Sequence, residues 1–258
     1  MILAVLNNKG GVGKTTIAVN LSAALATPRR RVLLIDLDSQ ASASTWCGVR
    51  RGRLKPSSAS VLLHDFPVEQ AIRATPTANL DIITGSVDLA NADLALSDVK
   101  GREGTLKQAL KSVRKRYDII VLDCPPSLSL VGVNALVASD AVLIPVPPQF
   151  LAVDGLTALL GTIDTVRRRL GTRSHVIGLL ITMAGRGRGE ELRERLRAEY
   201  RDRVFHTEIG VSRTLQHAPA AAKTVLAFAP RSAAADAFRR LAGEVLDRLR
   251  SRMPAKPS

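Results

Sequence analysis

The sequence predicts an α/β fold, a doubly wound, mostly parallel sheet with helices on both faces. Three observations point there. Short apolar runs rich in Val, Ile and Leu recur between residues 2 and 181, segments of helical period separate them, and a glycine-rich turn joins the first run to the first helical pattern. Strands that alternate with helices lie parallel, because each crossover returns the chain to the same end of the sheet.

The elements follow in order. Ile2 to Leu6 is the first buried strand, and Ile17, Leu21, Ala24 and Leu25 mark the first helix. Further strands are expected at Arg31 to Asp36, Asn79 to Thr84, Asp118 to Asp123, Ala141 to Val146 and Val176 to Ile181. Helical periodicity covers 104–116, 153–170, 189–199 and 231–250. Gly, Pro and Ser make 48–60 irregular, and Gly-Arg alternation does the same for 184–189. Residues 1–250 read as one domain with no internal repeat, and 251–258 as a disordered tail.

Composition narrows the class. Hydrophobic residues make up 46% of the chain but aromatics only 3%, so the core must be built from Ala, Val, Leu and Ile. No apolar run approaches the roughly 20 residues of a membrane span. The apolar start lacks a preceding basic region, which argues against a secretory signal. Two cysteines, Cys47 and Cys124, give no disulfide framework, so a cytoplasmic location is expected. The formal net charge of +14 points to a polyanionic partner such as DNA.

The run Asn7-Asn8-Lys9-Gly10-Gly11-Val12-Gly13-Lys14-Thr15-Thr16 carries the chemistry. It sits between a strand and a helix start, the context a phosphate loop needs. Glycines let backbone N–H groups converge on phosphate oxygens, and the helix N-terminus adds partial positive charge. Lys14 would reach the β- and γ-phosphates, and Thr15 would ligate Mg²⁺. Asn8 stands where the ordinary motif has its first glycine, and Lys9 is a second lysine in the loop. That much charge suggests that Lys9 serves a further phosphate group across a subunit interface.

Two acidic positions fall at strand ends, where ligands bind in parallel sheets. Asp123 ends the run Ile119-Ile120-Val121-Leu122 and can hold the Mg²⁺ shell opposite Thr15. Asp36 and Asp38 follow the second strand, and alternation sends them to one side.

The loop, in the form K-G-G-x-G-K-T-T, resembles the deviant Walker A motif of the ParA/MinD superfamily of dimerising ATPases, closest to small ParA/Soj-type partitioning ATPases. The resemblance covers residues 2 to about 250 and implies the P-loop nucleoside triphosphatase fold with ATP and Mg²⁺ as cofactors. It implies that Lys9 contacts the nucleotide of the facing subunit in a homodimer formed with ATP. Asp36-Leu37-Asp38-Ser39-Gln40 resembles a switch whose second Asp, here Asp38, aligns the attacking water, while Asp36 supports Mg²⁺. Ser39 departs from the family's proline there. Asp123-Cys124-Pro125-Pro126-Ser127 resembles a second switch, and the segment from Ile144 through Gln149 to Leu156 the strand and helix that follow it. Ile181-Thr182-Met183 lies where the family forms its adenine pocket, so Met183 is a candidate base contact.

The resemblance also implies non-specific DNA binding, with Arg213, Arg231, Arg239 and Arg240 as candidate contacts. Ala229-Pro230-Arg231-Ser232 resembles the family's D-P-R-S, with Ala for Asp. Ile209 to Ala218 is a poorer match, lacking the paired arginines often found near its start. The expected function is ATP-driven partitioning or positioning of a chromosomal, plasmid or cytosolic cargo on the nucleoid, with hydrolysis stimulated by a ParB-like partner or cargo adaptor.

Three rivals remain open on sequence. A MinD-like membrane-associated ATPase would use an amphipathic last helix, whose apolar stripe runs Phe238, Leu241, Ala242, Val245, Leu246 and Leu249. An iron-protein-type reductase shares the loop but would need bridging cysteines. A non-enzymatic DNA-binding scaffold would show no ATP turnover.

Overall fold

A computed structural model describes residues 1–148, 150–185 and 189–251, the stretch 150–154 by its backbone alone. Gln149 of the strand-to-helix segment, 186–188 of the Gly-Arg stretch and 252–258 of the tail lie outside the described residues.

One sheet of eight strands organises the chain: β1 (Ile2–Val5), β2 (Val32–Asp36), β3 (Ile72–Ala74), β4 (Leu80–Ile83), β5 (Ile119–Asp123), β6 (Ala141–Val146), β7 (His175–Ala184) and β8 (Ile209–Gly210). Their order is β3-β4-β2-β5-β1-β6-β7-β8, and every pairing is parallel except β3 with β4. The six expected strands are all present. The two additional ones are a three-residue antiparallel edge and a two-residue strand. Both are too short to show a period in sequence.

Alternation sorts the strand residues onto two faces. Ile2, Ala4, Leu33, Ile35, Ile120, Leu122, Val142 and Ile144 join one apolar cluster. Leu3, Val5, Val32, Leu34, Ile119, Val121, Ala141 and Leu143 join the other. Helices Leu130–Ala138 and Glu190–Tyr200 contribute to the first, and helices Lys14–Leu25 and Ala233–Arg250 to the second. The sheet is therefore covered on both sides, as the near-continuous apolar strands require.

The helix expected over 104–116 is regular only over Thr105–Ala109 and continues as turns. Lys111, Arg114, Lys115 and Arg116 crowd its second half with like charge, which weakens helical turns. The stretch 48–60 is less irregular than its composition suggests. Helix Ser58–His64 begins inside it, closed by a reciprocal capping box between Ser57 and Ser60. The other expected helices appear as Phe150–Arg169, Glu190–Tyr200 and Ala233–Arg250.

The topology places the site. β1 lies between β5 and β6, so the chain leaves β1 toward one half of the sheet and later fills the other. The crevice at such a reversal, at the carboxyl ends of the strands, is where α/β sheets bind ligands. The ends of β1, β2 and β5 all open there.

Candidate nucleotide site

The phosphate loop is built by two left-handed glycines and one asparagine. Gly11 has φ 73° and Gly13 φ 92°. A Cβ at either would meet nothing within 4 Å, so the need for glycine is conformational rather than steric. Asn7 anchors the entry, its Nδ2 donating to the Pro145 carbonyl at 2.7 Å and its Oδ1 accepting the Lys9 N–H at 2.9 Å. The Thr182 hydroxyl donates to the Val12 carbonyl at 2.9 Å, tying the loop to β7. Helix Lys14–Leu25 follows without a side-chain cap at its start. Its first N–H groups therefore face the crevice unclaimed by a capping side chain, the arrangement that binds anions.

Lys14 is only 6% exposed, and its Nζ donates to the Lys9 carbonyl at 2.9 Å. Burial pushes its pKa down, while Asp123 opposes the shift. Lys14 is thus a desolvated cation with a single backbone acceptor, which a phosphate can replace.

Asp123 is fully buried, and neither carboxylate oxygen makes a hydrogen bond of ordinary geometry. Burial raises its pKa well above the usual range, and the nearby Asp36 carboxylate adds to the rise. The Thr15 hydroxyl and Lys14 pull the other way. An orphaned buried carboxylate beside a threonine hydroxyl and a phosphate loop fits a divalent cation. A cluster of three or more His, Cys, Asp or Glu suited to a metal is absent among the described residues. Mg²⁺ does not need one, since it keeps several waters and takes phosphate oxygens alongside one or two protein oxygens.

Asp36 is also buried but is fully engaged. Its Oδ2 accepts the Ser44 N–H at 2.9 Å and the Ser44 hydroxyl at 2.7 Å, and its Oδ1 accepts the Asp38 N–H at 3.1 Å. Burial raises its pKa to about 6 against the lowering effect of these bonds. Asp38 is half-buried and caps its own turn, Oδ1 accepting the Gln40 N–H at 2.9 Å.

Sequence reasoning missed two supports of this segment. Ser44 bridges it to the neighbouring strand, accepting the Gly85 N–H at 2.9 Å while donating to Asp36. Gly85 packs so closely that a Cβ there would lie 2.5 Å from the Asp38 carbonyl oxygen and 2.9 Å from Asp36 Oδ1. In sequence Gly85 reads only as a turn after β4. The β2–β4 pairing is what brings it against the aspartates.

The segment that follows Asp123 lies across from the one that follows Asp36. Leu37 to Gln40 and Pro125 to Ser127 line a common cleft of about 340 Å³. Met183 sits at φ 55° and 41% exposure on the rim of another, of about 360 Å³, with Gly13, Thr16, Ile17, Ile209 and Leu215. Among the four candidate arginines, Arg213, Arg231 and Arg240 are exposed. Arg239 is exposed but engaged, at 2.6 Å from Asp236 and 2.8 Å from the Pro230 carbonyl. Cys47 and Cys124 are both buried and unpaired.

A phosphate loop on a doubly wound parallel sheet, with acidic strand ends converging beside it, defines a P-loop ATPase. A family profile described as an AAA domain, AAA_31, matches residues 1–176. The chain is 41% identical over 246 residues to the sporulation initiation inhibitor protein Soj of Bacillus subtilis, covering 95% of this chain and 97% of that protein. It is 38% identical over 255 residues to the chromosome partitioning protein ParA of Caulobacter vibrioides, covering 97% and 96%. Among solved structures, cobyrinic acid a,c-diamide synthase of Mycobacterium smegmatis with bound ATP analog and magnesium superposes with a TM-score of 0.85. It is 30% identical and covers 98% of this chain and 96% of that one. The chain belongs to the ParA/MinD superfamily of P-loop ATPases.

Proposed function

We propose that the chain is a partitioning ATPase that dimerises on ATP, holds DNA without sequence preference and releases it on hydrolysis. The observation that supports this best is the loop itself. It carries two lysines, with Lys14 resting on the Lys9 carbonyl near the buried Asp123 carboxylate. The names of the relatives, a chromosome partitioning protein and Soj, support the cargo-moving reading.

ATP would lay its phosphates along the N–H groups of Gly10 to Thr16. Lys14 would then exchange the Lys9 carbonyl for β- and γ-phosphate oxygens. Thr15 and Asp123 would hold Mg²⁺, which supplies charge neutralisation on the phosphates. Asp36, with both oxygens in use, would support the ion from behind by fixing the switch. Asp38 would align water for attack on the γ-phosphorus, breaking its bond to the β–γ bridging oxygen and leaving ADP and phosphate. Met183 would face the base on the apolar rim. Lys9 would reach the nucleotide of the facing subunit, and the paired subunits would join their basic surfaces on DNA.

The membrane reading loses its helix. Phe238, Leu241 and Val245 of Ala233–Arg250 are fully buried in the second core cluster, so that face is already used. Among the described residues no helix is long and apolar enough to cross a membrane. The reading is tested by light scattering and ATP turnover with random duplex DNA and a ParB-like partner. ATP-dependent dimers that bind duplex, and turnover raised by both additions, are expected. A chain that stays monomeric with ATP overturns the reading.

A further inference from the structure

Two elements of the nucleotide site reach across the molecule and grip the same short segment. The first is the switch helix Ser42–Trp46. Its Ser44 holds the Asp36 carboxylate, and two residues on, the Trp46 indole N–H donates to the Lys223 carbonyl at 2.7 Å. The second is the phosphate-loop helix. Asn20 is fully buried, its Nδ2 donating to the Thr16 carbonyl at 2.8 Å and its Oδ1 accepting the Val225 N–H at 2.7 Å. The two contacts land two residues apart. The segment they hold begins at Ala222, in the left-handed region at φ 49°, and leads into the short helix Val225–Phe228 and then to Arg231.

Neither contact is a packing accident. A buried asparagine that spends both ends of its amide on backbone groups is costly to place unless both bonds form. Asn20 satisfies the first N–H of helix Val225–Phe228, which has no intrahelical partner. Trp46 is 6% exposed and is the single tryptophan of the chain, so its one donor is committed.

We propose that Trp46 and Asn20 are positioning residues that carry the nucleotide state to the basic segment Lys223–Arg231. When the switch around Asp36 shifts, Ser44 moves helix Ser42–Trp46, and Trp46 carries the Lys223 carbonyl with it. Asn20 holds the next turn to the phosphate-loop helix, so the segment is strained between a moving grip and a fixed one. Coupling needs a contiguous element that both sites bias, and this segment is one. The inference rests on the partitioning reading for its purpose, but not for its test.

The test follows amide hydrogen exchange across 220–228 with ADP and with ATP and Mg²⁺, in the wild type and in Trp46→Phe. Phenylalanine keeps an aromatic ring but has no donor. Exchange in the wild type should differ between the two nucleotides by about five-fold or more, the lower end of ordinary coupling. Trp46 also lines the cleft with Met183, and phenylalanine keeps a ring there, so Trp46→Phe tests the indole N–H: it should lose the difference between nucleotides when both are added at saturation. No difference between nucleotides in the wild type, or a full difference surviving in Trp46→Phe, overturns the inference. Duplex binding, measured separately, decides the partitioning reading and leaves the link unaffected.

Discussion

Asp36 and Asp123 stand opposite one another in the parallel register of β2 and β5, each the last residue of its strand and both without solvent exposure. Two buried carboxylates side by side resist double ionisation. Asp36 meets this by accepting three hydrogen bonds, and Asp123 accepts none of ordinary geometry. The asymmetry fits the proposed division of work, in which Asp36 supports the segment to Gln40 and Asp123 holds the cation.

The pair sets a pH dependence. The folded-state pKa values of both are raised, that of Asp36 to about 6. Between the ordinary carboxylate range and that value the folded chain binds more protons than the unfolded one, so stability falls as pH rises. Without nucleotide, denaturant midpoints should decrease from pH 4 to above pH 6. Asp123→Asn removes a carboxyl group whose ionised form burial and the Asp36 carboxylate disfavour, and should raise the Tm of the nucleotide-free protein at pH 7.5. The same change should abolish Mg²⁺-dependent turnover. Thermal melts and a phosphate-release assay on one preparation check both, and a destabilised Asp123→Asn contradicts the account.

The loop lysines separate binding from dimerisation. Lys14→Ala removes the main cation for the β- and γ-phosphates and should abolish ATP binding by calorimetry. Lys9→Ala should still bind ATP but remain monomeric, because its proposed target lies in the other subunit. Equal dimerisation of Lys9→Ala and wild type in light scattering removes the bridging role.

Asp38→Ala should bind ATP and dimerise, yet hydrolyse about 100-fold more slowly or worse, since misaligning an attacking group costs on that order. The variant should accumulate as a persistent ATP dimer on DNA. Turnover at the wild-type rate rejects the assignment.

Gly85→Ala tests a support that lies outside the motifs. The added Cβ meets the Asp38 carbonyl oxygen at 2.5 Å, a backbone atom that moves only with the switch. Overpacking of this kind costs about 1–3 kcal/mol. The variant should melt lower and lose turnover more than ATP affinity. Unchanged kinetics indicate that the switch tolerates displacement.

What the sequence made legible divides by range. The phosphate loop, its flanking strand and helix, and Asp123 were legible because each depends on neighbours in sequence. Runs such as Ile119 to Leu122 are buried on both faces, so they read as strands without help from partners. Ser44, Gly85, Asn20 and Trp46 were not legible, because their roles exist only after β2 pairs with β4 and the two helices pack near residues 223–225. A serine eight residues from Asp36 has no periodicity to betray it. The truncation of the helix over 104–116 was hidden for a related reason, since apolar spacing survives where clustered charge limits the regular turns.

The last prediction concerns DNA. Arg213, Arg231 and Arg240 are exposed on the elements that follow β8, and none of them has an ion-pair partner among the described residues. A monomer offers one set of these arginines, and an ATP dimer would join two. Affinity for random duplex should therefore rise with ATP, show little sequence preference and fall steeply with salt, since each neutralised phosphate releases counterion. Arg231→Glu should weaken binding on all sequences alike and flatten the salt slope by about one unit for each phosphate no longer neutralised. Dimerisation should be unaffected, because the change is electrostatic and leaves the contacts of Asn20 and Trp46 with residues 223–225 in place. Arg239→Glu should matter less, because Arg239 is already committed to Asp236 and the Pro230 carbonyl. Surface-binding titrations at several salt concentrations, with ATP, ADP and no nucleotide, read all of these. Affinity that ignores the nucleotide reduces the +14 charge to background and leaves the proposed cycle without a track.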